Sequence, residues 1–200
     1  IEDVARIFND RGLAYQGLNE HDRAIDDFSN AISLDEKNAE FYMNRGLAYA
    51  NQRQYERAAE DYSAVIKLNP QNAPAYASRA KAFLDAGNND QAIADYQKFL
   101  EREPRNILAW YNLGLAYKNK QNDEKALEAF GKLLDAEPKH AAAAYQKAGI
   151  FSRKGKIDSA CVWLDTAVEN GFRDWSLLKS DPDFDGIRKT DCYRKLMAGK

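Results

Sequence analysis

Apolar and small residues recur along this chain with a period of 34 residues. The stretch Ala39–Asn72 shows the pattern most plainly, with Gly46, Tyr49, Ala58 and Tyr62. Gly46 has counterparts in Gly12, Ala80, Gly114 and Ala148, and Tyr49 in Tyr15, Phe83, Tyr117 and Phe151. Ala58 repeats as Ala24, Ala92, Ala126 and Ala160, and Tyr62 as Phe28, Tyr96, Phe130 and Leu164. A fixed period of this length marks a stack of supersecondary units. Within the first period, Phe8, Gly12 and Tyr15 stand at i, i+4 and i+7, one face of a helix. Leu18–His21 interrupts the pattern, polar Asp22 is suited to start a second helix, and Ala24, Phe28 and Ala31 resume the spacing. Each period is therefore predicted to hold two amphipathic helices and a short turn. Gly12 and Ala24 let the two helices approach closely, and Phe8, Tyr15 and Phe28 fill the space around them. Pro70, Pro104 and Pro138 close their units, since proline cannot continue a helix interior.

The period divides the chain into five units, 5–38, 39–72, 73–106, 107–140 and 141–172, followed by a closing segment, 173–200. The fifth unit has drifted: Ala144 and Leu164 replace aromatic residues, and Phe172 stands where the proline would be. Terminal units of a stack are expected to be atypical. In the closing segment, Asp174–Leu178 reads as a short helix. Asp181-Pro182 is a helix-start signal, and Thr190-Asp191 opens a helix with Tyr193, Leu196 and Met197 on one face. Those apolar residues are expected to cover the fifth unit. Only Ile1–Val4 precede the first unit, so Phe8 and its neighbours are expected either to stay exposed, to meet an upstream part of a longer protein, or to dock a partner or second copy.

The fourth unit reads W-x-x-L-G-x-x-Y at Trp110, Leu113, Gly114 and Tyr117, followed by Ala126, Phe130 and Pro138. With five copies in phase, the chain resembles the tetratricopeptide repeat (TPR) proteins over roughly Ala5–Val168. The segment LLKSDPDFDGIRKTDCYRKLM resembles the closing segment of bacterial TPR proteins. The resemblance implies an all-α fold, a right-handed α-solenoid of helix–turn–helix TPR units. It also implies a non-enzymatic scaffold that binds a protein or peptide segment in a concave groove lined by the first helix of each repeat. Places shifted by one or two from the packing face then give the partner-binding set Asn9, Leu13, Met43, Asn44, Leu47, Ala77, Lys81, Leu84, Tyr111, Asn112, Leu115 and Tyr145. Lys118, Gly149 and Ser152 fall on the same side. The apolar members suit a peptide with apolar anchors, and Asn44 and Asn112 can both donate to and accept from its backbone. The TPR subtype that clamps chaperone C-termini is not expected, because Asn9, Leu13, Pro74 and Ser78 stand where it carries lysine, asparagine, lysine and arginine. A self-assembly module, giving a homo-oligomer, and an accessory domain of a larger bacterial enzyme or envelope complex are the alternatives.

Composition narrows the chemistry further. Charged residues make up 30% and aromatic residues 12%, with five prolines, the make-up of a folded chain. The net charge is −2 with both signs interspersed, so no nucleic acid partner is expected. No apolar run reaches the roughly 18 residues of a membrane span, and no signal peptide is visible; bacterial cytoplasm and periplasm both remain open. Cys161 and Cys192 are expected as partly buried free thiols, a bridge tying down the tail being the alternative. With His21 and His140 they make no metal-ligand spacing, and no metal, cofactor or catalytic residue is expected. Asp26 with Asp27, Glu60 with Asp61, and Asp181, Asp183 and Asp185 read as solvated helix faces and caps. The last group is not an EF-hand, since Cys192 stands where the loop needs glutamate.

Overall fold

Each period folds into a pair of helices. A computed structural model describes residues 2–198; the expectations that touch Ile1 and Gly199–Lys200 lie outside them. The pairs are α1 (Glu2–Gly17) with α2 (His21–Leu34), α3 (Ala39–Asn51) with α4 (Tyr55–Leu68), and α5 (Ala73–Asp85) with α6 (Asn89–Leu100). They continue as α7 (Ile107–Asn119) with α8 (Asp123–Ala136), and α9 (Ala141–Arg153) with α10 (Ile157–Glu169). The remaining elements are α11 (Trp175–Ser180), a 3₁₀ turn (Pro182–Phe184) and α12 (Asp191–Met197). Among the described residues there is no strand, and no helix is long and apolar enough to cross a membrane.

Helix boundaries repeat with the same period as the core. Asn38, Asn72 and Asn106 cap α3, α5 and α7, their side-chain oxygens accepting from the backbone N–H of Glu40, Ala75 and Ala109 at 3.0, 3.0 and 2.9 Å. His140 does the same for α9 through Nδ1, 3.1 Å from the Ala143 nitrogen. Each cap satisfies one of the first-turn N–H groups that the helix itself leaves open. The turn inside each pair carries one residue of positive φ, at Asn19, Arg53, Gly87, Gln121 and Gly155. Only two of the five are glycine. The other three hold a conformation that costs a side-chain-bearing residue about 1 kcal/mol, so the turn is imposed by the packing of the helices it joins.

The chain divides into two compact units, 1–104 and 105–200. In the first, α2 packs on α3 and α4 on α5. The small places of the period lie under aromatic rings: a Cβ added to Gly12 would sit 2.7 Å from Phe28, and one on Gly46 2.8 Å from Tyr62. Ala24, Ala58 and Ala92 are fully buried, as is Val65. The expectation of solvated acids fails here for half of each pair. Asp26 and Glu60 are exposed, but Asp27 and Asp61 are buried, each bonded by an arginine of the preceding helix. Val4 and Ile7 of α1 are exposed, whereas Phe41 and Ala75, at the places equivalent to Ile7, are buried.

In the second unit, Gly114 lies under Phe130, 2.5 Å from where its Cβ would be. The tail packs on the fifth pair. Leu178, Phe184, Ile187 and Tyr193 form one buried cluster with Ala144, Tyr145, Ala148, Ala160 and Leu164. Asp181 caps the 3₁₀ turn, accepting from the Asp183 N–H at 3.0 Å. Thr190 caps α12. The cysteines are not free thiols: Cys161 of α10 and Cys192 of α12 are joined in a disulfide, their Cα atoms 6.0 Å apart, within the span such a bond requires. The bridge holds the tail's last helix to the pair it covers.

Candidate functional site: the faces of the first helices

On the first unit, the face presented by α1, α3 and α5 is apolar with an amide centre. Leu13 is 41% exposed and Leu47 47% exposed, at equivalent places on successive first helices. Met43 is half-buried and packs against the cluster of Ala58, Ala59, Tyr62 and Ala82. Asn44 donates through Nδ2 to Oδ1 of Asn9 at 2.8 Å, linking the first two repeats. Asn9 is itself only 4% exposed, so this amide serves the inter-repeat contact. Ala77 and Leu84 are half-buried, and Lys81 is exposed with its ammonium 2.6 Å from the carboxylate of Asp85. Of the eight places expected on this unit, Leu13, Leu47 and Lys81 are exposed, four are half-buried, and Asn9 is withdrawn into packing.

On the second unit the same face is largely occupied. Tyr111 is half-buried, its ring 5.8 Å from Phe130 and 5.5 Å from His140. Leu115 is half-buried and Asn112 is buried. Tyr145, expected as an exposed partner-binding residue, is 3% exposed, because the chain's own tail covers it. Its ring stacks on Phe172 at 4.4 Å and tilts against Phe184 at 5.0 Å. Its hydroxyl donates to Asp181 at 2.7 Å. Burial, and then the bond to the Asp181 carboxylate, push the phenol far above its usual pKa.

Asp183 follows two residues later. Lys118 reaches it at 2.6 Å and Arg153 at 3.0 Å. Arg153 also pairs with Asp123, and Lys118 donates to Gln146 at 2.7 Å. The remaining places on this side of α9 are covered in turn: a Cβ added to Gly149 would lie 3.1 Å from the Asp183 Cβ, and the Ser152 carbonyl oxygen lies 2.7 Å from where a Gly186 Cβ would be. Asp181 and Asp183 are thus bonded residues of a docked turn, while Asp185, with its side chain 66% exposed, pairs with Arg188. Lys118 and Arg153 carry much of this arrangement. The spacing of the repeat puts Lys118 on this face, but Arg153 follows no place in the repeat pattern.

Paired helices joined by a turn with one left-handed residue, a small residue under an aromatic ring and a first-helix face turned outward define a helix–turn–helix repeat protein of the all-α solenoid class. The tetratricopeptide repeat family model matches residues 9–73, 78–130 and 120–171, and the chain belongs to that family. Among solved structures, a crystal structure of MamA is similar at 24% identity and a TM-score of 0.77, over 80% of this chain and 93% of that one. MamA 41-end from Desulfovibrio magneticus RS-1 is similar at 21% identity and a TM-score of 0.77, over 90% and 98%. YrrB, described as a TPR protein with an unusual peptide-binding site, is similar at 20% identity and a TM-score of 0.74, over 82% and 84%. Comparison with curated proteins gives no match.

Proposed function

We propose that this protein is a non-enzymatic interaction scaffold that binds a protein or peptide segment on its first-helix faces, with the open site on the first unit. The exposure of Leu13 and Leu47 carries the reading. Two large apolar side chains stand at the same place on the first helices of successive repeats, beside half-buried Met43 and Asn44, and exposed apolar surface of this kind marks interaction sites. Ala77, Lys81 and Leu84 extend the face to the third repeat. Tyr111 and Leu115 offer a smaller half-buried area on the second unit, and Tyr145 is left out of the open set. The family supports the reading, as does the peptide-binding site for which YrrB is described.

The anchors are testable with peptides selected from a display library against the intact protein. Replacing Leu13→Asp together with Leu47→Asp is expected to weaken the selected peptides by about tenfold or more, the loss typical of a hot-spot residue, while helical circular dichroism stays unchanged. Peptides that bind the double variant as well as the natural chain would place the site elsewhere.

A further inference from the structure

We propose that the first-helix face of the second unit is a recognition site for an acidic segment of the form acid–x–acid–aromatic, and that the chain's own turn, Asp181-Pro182-Asp183-Phe184, fills it as an internal ligand. The proposal shares with the function above the premise that these faces bind chain segments. It uses different residues, so each can fail alone.

The contacts are those of a ligand as much as of a cover. Leu178, Ile187 and Tyr193 share the apolar cap of α9 and α10 with Phe184 of the turn. The turn adds two carboxylates, each met by a specific donor: Asp181 by the Tyr145 hydroxyl, and Asp183 by Lys118 and Arg153. The Asp183 and Lys118 side chains are 12% and 19% exposed. Charges desolvated to this degree contribute little net stability over apolar residues of the same shape, but they discriminate strongly between a segment that carries them and one that does not. Phe184 adds an aromatic anchor against Tyr145. These receptor groups all lie on α7 and α9 of the second unit, Lys118 and Tyr145 at places of the first-helix face and Arg153 at the end of α9. The disulfide Cys161–Cys192 secures the tail beyond the turn, not the turn itself. The turn therefore competes with an external segment from a high effective concentration, which keeps the site closed to weak binders and open to a segment of matching chemistry.

The test uses the full chain and a fluorescein-labelled peptide, Lys-Ser-Asp-Pro-Asp-Phe-Asp-Gly, read by anisotropy. Asp181→Asn with Asp183→Asn in the protein removes the internal competitor's charges. The peptide is expected to bind this variant at least about tenfold tighter than the natural chain, and the gain is expected to vanish when Lys118→Ala is added. Hydrogen exchange of the natural chain gives an independent readout that needs no variant: saturating peptide is expected to speed exchange of the amides of 183–188 and to leave α3 and α4 unchanged. Equal binding to the natural chain and the double variant, binding that survives Lys118→Ala, or exchange at 183–188 that ignores the peptide would each overturn the proposal. The Leu13 and Leu47 variant is expected to bind this peptide normally, which separates the two sites.

Discussion

Repeats two and five place different chemistry at the same point between their two helices. In repeat two, Arg45 of α3 forks onto Asp61 of α4, with Nε 2.9 Å and Nη2 2.7 Å from its two oxygens. Its third nitrogen donates to Ser29 of α2 at 3.1 Å, tying the repeat to the one before it. Repeats one and three carry the same pair, Arg11–Asp27 and Arg79–Asp95, and Arg79 likewise reaches back to Ser63. In repeat five the two places hold Lys147 and Trp163, the ammonium 3.8 Å from the ring centroid. In repeat four they hold Leu113 and Ala129, both buried. The helix pair accepts a fully bonded ion pair, a cation on a ring, or two apolar residues, so the fold does not depend on which it receives. What the ion pair adds is direction. A planar guanidinium meets a carboxylate and a neighbouring hydroxyl at once in one alignment only, so repeats one to three are fixed relative to one another by polar geometry. The charges respond accordingly: the bond to Asp61 raises Arg45 above its ordinary pKa, while burial lowers Lys147.

The sharpest way to break this contrast is to strand one charge. Arg45→Ala leaves Asp61, 5% exposed, without its fork, and is expected to cost about 3 kcal/mol, read as a lower urea midpoint by circular dichroism. Lys147→Ala strands no buried acid and is expected to cost clearly less. Equal losses at the two places would mean that the pair is no more than packing.

A second comparison asks whether the repeats differ anywhere else. Ala58 and Ala126 occupy one place in the period, in different units, and both are fully buried. Ala58→Leu and Ala126→Leu are each expected to cost about 1–3 kcal/mol through overpacking, and by the same amount. A large difference in thermal midpoint between them would show that the units differ in more than the charge pair.

The helix pairs, their turns and the aromatic rings over Gly12, Gly46 and Gly114 were legible in the sequence, because apolar burial imposes a period on residue type. The ion pairs were written in the same period, at 11, 45 and 79 and at 27, 61 and 95, yet Asp27 and Asp61 read as solvated. A carboxylate alone carries no sign of burial; the signal was the arginine recurring 16 residues before it. The exposure of the first unit's face was legible only in part. Leu13 and Leu47 follow from helix geometry, whereas the covering of Tyr145 depends on a tail that has no repeat to align with. The disulfide was legible only as the alternative to free thiols, since Cys161 and Cys192 meet only once α12 packs on α10.

The smallest expected effect is the most informative. Arg45→Leu with Asp61→Ala gives repeat two the residues of repeat four. Removing both partners leaves no stranded charge, and replacing a buried pair by apolar residues of similar volume is close to neutral, so the double variant is expected to lie within about 1 kcal/mol of the natural chain. It should therefore recover most of what Arg45→Ala loses, despite being the larger change. Ser29 then loses its donor, and the polar links between the first two repeats are left to the Asn44–Asn9 amide and to Gln52, which donates to Asp22 at 2.7 Å. Hydrogen exchange is expected to show this as faster opening of α1 and α2 at unchanged overall stability. A double variant as unstable as Arg45→Ala would show that repeat two needs the charge for strength. A double variant with unchanged exchange in α1 and α2 would show that the fork does not set the alignment of the repeats.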